Sequence, residues 1–276
     1  MAKRAVGVFD SGVGGLTVLK AIRQLLPQED LIYLGDTARV PYGSKSAHRV
    51  LQYSLEAGDF LHRHGVKMLV VACNTASSVA LPALVNRFHL PVVGVIEPGA
   101  RRACEVSRTR KVAVIGTEGT IRSGAYQQTL KSLDEALIVC SVACPLFVPL
   151  AEEGWTTHPV TRMTAMEYLA PLCGDGVDTL VLGCTHYPLL KKTLQEVVGE
   201  KITLVDSAEE TARRVAAILS ANKQLRTTTG TGTTRFCVTD TPERFQRVGG
   251  VFFGAGLANV THVELAHLDD ESEITE

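Results

Sequence analysis

The sequence has little excess of either charge and no apolar run long enough to cross a bilayer. Its 28 basic and 29 acidic residues give a net charge of -1, so no broad electrostatic surface for nucleic acid or an anionic membrane is expected. The basic N-terminus reaches Asp10 and glycines before an apolar segment of signal-peptide length appears. These absences favour a cytoplasmic protein with neither a membrane nor a nucleic-acid partner.

The seven cysteines include no C-x-x-C pair, which is the spacing typical of structural zinc sites and redox motifs. Cys140 and Cys144 are closest in sequence, but they fall in a strand-like apolar stretch without a second pair of ligands. No structural metal is therefore predicted. Scattered thiols in an odd number fit a reduced state in the cytoplasm.

Short apolar runs alternate with longer amphipathic segments, a pattern that indicates an α/β fold with parallel sheets. Predicted strands occupy 5–9, 31–35, 68–72 and 91–96 in the first half, and 111–116, 136–143, 178–183 and 202–206 in the second. The second half looks like a copy of the first. We therefore predict two similar lobes with parallel, doubly wound sheets, related by a pseudo-twofold axis, with the active site in the cleft between them.

The predicted first lobe comprises 1–97 plus about 208–268, because the amphipathic segment at 208–220 is expected to return the chain to it. The second lobe comprises 98–207, and 269–276 forms an acidic tail. A Thr- and Gly-rich run at 227–234 predicts a loop, and 235–240 predicts a further strand.

Two cysteines occupy equivalent places in the two halves. L-V-V-A-C-N-T at 69–75 resembles L-V-L-G-C-T-H at 180–186, so Cys73 and Cys184 each follow a strand and precede a helical pattern. A free cysteine is more often a small buried apolar residue, but the repeated placement before polar residues favours function. A helix N-terminus is expected to lower the thiol pKa. If the lobes face each other, the two thiols meet across one cleft and can exchange a proton at one carbon.

Asp10 and Ser11 enter the glycine-rich turn 12–15 after the first strand. A dinucleotide loop is disfavoured because Thr17 replaces the third glycine, and no G-K-[ST] supports a phosphate loop. An aspartate there would repel phosphate, whereas it would attract an ammonium group or assist a nearby thiol. The alternative is that Asp10 and Ser11 only cap the next helix.

Two polar loops are further candidates. In 35–43, Tyr42 and Gly43 could present a phenol and backbone amides to a carboxylate, or form a structural turn. In 145–155, one of Glu152 and Glu153 is expected to face the cleft. His186 lies two residues after Cys184 and could tune its proton transfer, although a lone histidine is more often structural.

Five ordered motifs together resemble the glutamate racemases of the aspartate/glutamate racemase family: FDSGVGGLTVL (9–19), GDTARVPYG (35–43), ACNTAS (72–77), PLFVPLAEEGW (145–155) and GCTHYPLL (183–190). The resemblance implies a cofactor-independent, two-base racemase that supplies D-glutamate for peptidoglycan, and a homodimer. It implies catalytic cysteines at Cys73 and Cys184, assisted by Asp10 and His186. It also implies substrate contacts at Asp10, Ser11, Tyr42, Gly43, Asn74, Thr75, Thr117, Thr120, Glu152, Thr185 and His186.

Three other functions stay open from sequence. Racemisation of aspartate or a hydantoin is a sister activity that lobe architecture does not exclude. VFDSG faintly resembles an aspartyl-phosphate phosphatase motif, but Gly12 replaces the second aspartate. A metabolite-binding or inhibitory module with a vestigial site belongs to a different class, and ligand binding without exchange of the α-hydrogen would favour it.

Overall fold

The structure is a computed structural model that describes residues 2–172, 176–254 and 256–267. The predicted acidic tail at 269–276 lies outside these ranges. Within them, no helix combines the length and apolar character needed to span a membrane.

Strands and helices alternate along the chain as the sequence predicts. The first half contains β1 (Val6–Asp10), α1 (Leu16–Leu25), β2 (Leu31–Gly35), α2 (Ala47–Arg63), β3 (Met68–Val71), α3 (Asn74–Arg87) and β4 (Val92–Gly94). The second contains α4 (Ile96–Val106), β5 (Lys111–Gly116), α5 (Glu118–Arg122), α6 (Ala125–Leu133), β6 (Ile138–Ala143), α7 (Phe147–Glu152), α8 (Pro159–Leu169), β7 (Thr179–Gly183), α9 (Lys191–Val198) and β8 (Thr203–Asp206). The remainder contains α10 (Ser207–Ala221), β9 (Thr234–Val238), α11 (Pro242–Phe253) and β10 (Val260–His262). Short 3-10 helices at Tyr42–Ser44, Ala170–Leu172 and Tyr187–Leu190 complete the described elements.

The strands of the described chain form two parallel sheets. Sheet A has the order β10-β9-β2-β1-β3-β4, and sheet B has the order β6-β5-β7-β8. Four strands of sheet A, in the order β2-β1-β3-β4, match the four strands of sheet B, in the order β6-β5-β7-β8. In each set the second strand along the chain pairs with one side of the first, and the third and fourth strands follow on the other side. The predicted α/β fold with two similar parallel sheets is confirmed, and the matching order supports the predicted internal duplication.

Each sheet is buried on both faces, which is why its strands are almost continuously apolar. In β1, Val8 packs with Leu19 of α1 on one face, while Phe9 packs with Leu61 of α2 on the other. In β5, Val114 packs with residues of α4 and α6, and Ile115 joins the cluster on the opposite face. Helices on both faces leave the carboxyl ends of the strands as the open edge where a ligand site can form.

The last third of the chain returns to sheet A. Helix α10 packs against both α1 and α4, and β9 then pairs with β2. Strand β9 begins at Thr234, one residue inside the predicted loop, because its ladder with β2 already starts at the Leu31–Thr234 pair. The sequence did not predict β10, a three-residue edge strand with only one apolar residue. The exact lobe boundaries stay a prediction.

Candidate active site

A cleft opens where the carboxyl ends of the two sheets meet. It is lined by the side chains and backbone of Ser11, Val40, Pro41, Tyr42, Gly43, Cys73, Asn74, Thr75, Thr117, Val148, Cys184, Thr185 and His186. Ten of these residues are among the predicted site residues, and Pro41 was named with its neighbours as part of a loop that could bind a carboxylate. Val40 and Val148 were not predicted, because apolar side chains in a loop carry no chemical signal. Cys73 and Cys184 therefore share one cavity, although each also packs against a different apolar cluster.

Cys73 caps the N-terminus of α3. Its sulfur accepts a hydrogen bond from the Ala76 amide at 3.5 Å, and its thiol donates to the Ser11 hydroxyl at 3.7 Å. The sequence predicted that the helix N-terminus would lower the thiol pKa. That prediction is wrong for Cys73, because burial and the negative charge of Asp10 outweigh the helix amide and raise the pKa of this thiol to about 12.

Cys184 follows β7 directly but does not begin an α-helix. The fourth residue after it is Pro188, which lacks the amide hydrogen that an α-helical bond to the Cys184 carbonyl needs. Tyr187 donates to that carbonyl instead at 3.1 Å, and the chain forms a 3-10 helix. The expected helix N-terminus at Cys184 is thus replaced by a side-chain partner, since His186 Nδ1 lies 3.8 Å from the sulfur.

His186 links Cys184 to two charged residues behind the cleft wall. Its Nε2 lies 3.1 Å from Glu152 Oε1, and Glu152 Oε2 lies 3.1 Å from Arg244 Nη2 of α11. Burial alone would lower the pKa of His186, but the hydrogen bonds with Cys184 and Glu152 raise it to about 10. Burial alone would raise the pKa of Glu152, whereas His186 and Arg244 lower it. A protonated His186 beside an ionised Glu152 follows at neutral pH.

The structure separates the two glutamates of the loop. Glu152 is half-buried against His186, and Glu153 is exposed. Glu152 lines a neighbouring cavity with Arg244 and is absent from the cleft wall that holds the thiols. Its place in the structure is that of a partner for His186, and the predicted direct contact of Glu152 with a substrate stays a prediction.

Asp10 lies behind the cleft at the end of β1. Its carboxylate accepts the Gly12 amide at 2.8 Å, and the Thr185 hydroxyl approaches its other oxygen at 3.5 Å. Helix α1 begins at Leu16 with Gly15 as a cap that has no side-chain bond, so Asp10 is not the N-cap of that helix. Complete burial raises the pKa of Asp10, although the positive charge of His186 opposes that rise.

The turn after β1 approaches the turn after β7 very closely. A Cβ atom at Gly14 would overlap the side chains of both Thr185 and His186, so only glycine fits between these two turns. The glycine-rich turn therefore serves close packing of the two halves of the cleft.

Three threonine hydroxyls close the opposite side of the cleft. Thr75 Oγ1 lies 2.9 Å from Thr117 Oγ1 and 3.2 Å from Thr120 Oγ1, and the last two are 3.0 Å apart. Thr75 is the second residue of α3 beside sheet A, whereas Thr117 and Thr120 belong to the start of α5 beside sheet B. Thr120 was predicted to contact the substrate, but it lies behind Thr75 and Thr117 and is not part of the wall.

Tyr42 lines the cleft, yet its hydroxyl does not face a ligand. It donates to Asp36 Oδ2 at 2.6 Å, and the Thr239 hydroxyl donates to Asp36 Oδ1 at 2.9 Å. The buried Asp36 thus already accepts the proton of this phenol, and the predicted contact of Tyr42 with a substrate stays a prediction. Gly43 beside it touches Thr117 so closely that a Cβ would overlap the threonine side chain.

The two polar atoms of the Asn74 side-chain amide have different surroundings. Its Oδ1 accepts a hydrogen bond of 2.8 Å from the hydroxyl of Tyr126 in α6, whereas its Nδ2 has no partner among the described residues. The side chain is buried and lines the cleft. An unpaired buried amide donor is costly, so this nitrogen is a candidate to bind an acceptor on a ligand.

Across the described residues, no group of three histidine, cysteine or acidic side chains is arranged to hold a metal ion. Cys73 and Cys184 are free thiols. The chemistry that the cleft itself displays is two thiols, one protonated histidine, one buried aspartate and several hydrogen-bond donors.

Sequence and structure comparisons agree on one family. The sequence model described as Asp/Glu/Hydantoin racemase matches residues 7–215. The glutamate racemase of Geobacter metallireducens is 58% identical over 265 residues, which cover 96% of this chain and 98% of that protein. A crystal structure of a glutamate racemase isoform from Bacillus anthracis superposes with a TM-score of 0.93 at 40% identity, covering 96% of this chain and 99% of that chain. A glutamate racemase from Francisella tularensis in complex with D-glutamate superposes with a TM-score of 0.91 at 35% identity, covering 96% and 98%. This chain therefore belongs to the Asp/Glu/hydantoin racemase family.

Proposed function

We propose that this racemase interconverts L- and D-glutamate by direct proton transfer between Cys73 and Cys184, without a cofactor. The observation that carries the proposal is that both thiols line a single small cleft, each supplied from an equivalent strand end. The substrate comes from the relatives, which are named glutamate racemases and include a structure in complex with D-glutamate.

The two thiols have different surroundings. Burial and Asp10 favour the neutral thiol at Cys73, whereas Cys184 has the ring of His186 at 3.8 Å as its neighbour. A thiolate at Cys184 and a thiol at Cys73 form the starting state for one direction. In that direction, Cys184 takes the α-hydrogen as a proton and Cys73 delivers its own proton to the opposite face of the carbon.

The charges balance without any other reactant. The α-carbon–hydrogen bond breaks as a sulfur–hydrogen bond forms at Cys184. The electron pair of the broken bond stays on the α-carbon, which becomes a carbanion. That pair then takes the proton of Cys73, which ends as the thiolate. The reverse reaction starts from this product state with the roles of the sulfurs exchanged.

The polar wall of the cleft suits an amino diacid. Asn74 Nδ2 is an unpaired donor, and the hydroxyls of Ser11, Thr75 and Thr185 also line the cleft. Donors fixed before the reaction stabilise the negative charge that develops as the α-proton leaves. Asp10 lies close behind this wall, where a negative charge would attract the substrate ammonium group.

The deciding experiment is incubation of the purified protein with L-glutamate in deuterated water without added cofactor. We expect deuterium at the α-carbon together with conversion to D-glutamate, read by mass spectrometry and chiral chromatography. The Cys73→Ser/Cys184→Ser double variant is the control. Binding of glutamate without exchange of its α-hydrogen would contradict the proposal, as would activity that needs added pyridoxal phosphate. Faster turnover of L-aspartate than of L-glutamate would identify the protein as an aspartate racemase instead.

For the cell, the proposed product has a specific use. D-Glutamate made in the cytoplasm would supply peptidoglycan synthesis, and we expect the enzyme to act as a homodimer. Depletion of the protein in its host should make growth depend on added D-glutamate. Growth and normal cell shape without that supplement would contradict this role.

A further inference from the structure

A buried chain of hydrogen bonds reaches the cleft from behind. Ser207, the first residue of α10, bonds to the hydroxyl of Tyr126, and that hydroxyl donates to Asn74 Oδ1 at 2.8 Å. The Tyr126 side chain is fully buried between α4, α6 and sheet B. Hydrogen bonds thus connect α10, α6 and α3, which are distant in sequence, and this chain ends at the amide of Asn74.

This chain determines which end of the amide faces the cleft. The carbonyl oxygen of Asn74 is occupied by the phenol, so the nitrogen Nδ2, which has no partner among the described residues, is the end left for a ligand. An amide nitrogen only donates hydrogen bonds, whereas an amide oxygen only accepts them. With the amide rotated, the cleft would present an oxygen that repels a carboxylate.

We propose that Tyr126 is a positioning residue that fixes the Asn74 amide with its donor toward the cleft, so that the site selects a substrate carboxylate. The inference rests on the proposed glutamate racemase function and adds a residue that does not itself touch the substrate. Burial and the nearby Asp206 raise the pKa of Tyr126, so the phenol keeps the proton that it donates to Asn74.

The test is a double-mutant cycle with Tyr126→Phe and Asn74→Ala. The Phe variant keeps the buried ring and removes only the hydroxyl. We expect kcat/KM for glutamate to fall about tenfold in Tyr126→Phe, because one buried acceptor loses its partner and the amide can rotate. In the Asn74→Ala background the same change should have little further effect, since the residue through which Tyr126 acts is absent.

Tyr168→Phe is the matched control, since its hydroxyl accepts a hydrogen bond from the Leu146 amide and lies outside the cleft wall. Thermal unfolding of every variant separates lost activity from lost fold. The proposal would be overturned if Tyr126→Phe lowered kcat/KM by the same factor in both backgrounds. Unchanged kinetics in the single variant would also overturn it. If the wild-type protein binds D-glutamate without racemising it, the proposed function fails. Calorimetric Kd values for D-glutamate across the same cycle then still test Tyr126.

Discussion

At the scale of single residues, the two thiols have different surroundings although their sequence motifs look alike. Cys73 contacts the Ser11 hydroxyl and an amide of α3, and the negative charge of Asp10 helps to raise its pKa. Cys184 lies beside His186, which Glu152 orients from behind. Proton transfer in the two directions therefore starts from different microenvironments, so the rate-limiting step need not be the same for L- and D-glutamate.

Replacing either thiol by a hydroxyl should remove most racemase activity. In Cys73→Ser and in Cys184→Ser we expect kcat to fall at least about a thousandfold, because serine is a far weaker acid and cannot supply or hold the proton. Racemisation assays with each enantiomer measure the loss. Cys104→Ser on α4 serves as the control, because this cysteine is distant from the cleft wall. Normal turnover by either cleft variant would refute the two-base scheme.

At the scale of elements, what the sequence predicts depends on whether the signal is local. The eight strands of the two halves and both cysteines were found because each is carried by a short apolar run and the residue that follows it. The 3-10 helix after Cys184 was also encoded locally, by Pro188, but the repeat with Cys73 suggested an α-helix. Tyr126 and Arg244 could not be found, since their roles arise only when α6 and α11 pack near the cleft.

Helix α11 reaches the His186 side of the site through the Arg244–Glu152 ion pair and through the ring of Phe252, which contacts His186. Removal of the ion pair should affect only one thiol. Arg244 is 54% exposed, so an ion pair of this kind contributes little to stability. We expect Arg244→Ala to lower kcat/KM a few-fold at most. Glu152→Gln should cause the larger loss, because it removes the negative charge that helps to raise the pKa of His186. With α-deuterated L- and D-glutamate, the isotope effect should rise for the enantiomer that Cys184 deprotonates and not for the other.

Arg247→Ala is the control on the same helix, one turn away and exposed. Equal changes in the isotope effect for both enantiomers would show that the Arg244 pair acts on the whole cleft instead of on the Cys184 side alone. If Glu152→Gln leaves kcat/KM unchanged, Glu152 does not act on the reaction through His186.

At the scale of the whole molecule, polar contacts tie the two sheets together around the cleft. Asn74 meets Tyr126, Thr75 meets Thr117, and Arg244 meets Glu152, each pair joining an element beside sheet A to one beside sheet B. Helix α10 adds an apolar connection between α1 and α4. The site is therefore part of the contact between the halves, and its protonation must influence the stability of the folded chain.

The stabilisation from His186 should depend on pH with a defined sign. Its pKa is raised from 6.5 to about 10 in the folded chain, so its contribution is complete below the unfolded value of 6.5 and is lost as pH rises toward 10. Glu152, whose pKa is lowered from 4.5, contributes fully above its unfolded value and loses this contribution as pH falls. The pair is therefore expected to stabilise the fold most between these two unfolded values.

Denaturant unfolding of the wild-type protein and His186→Asn from pH 5 to pH 10 measures this effect. The difference in free energy of unfolding should change in favour of the variant as pH rises above 6.5, by no more than about 1.4 kcal/mol per pH unit, because one proton is involved. The slope is diagnostic, since a buried charge can make the absolute difference take either sign. A difference that stays constant over this range would mean that folding does not raise the pKa of His186. The ring would then be neutral above pH 6.5, and Cys184 would lack a positive partner there.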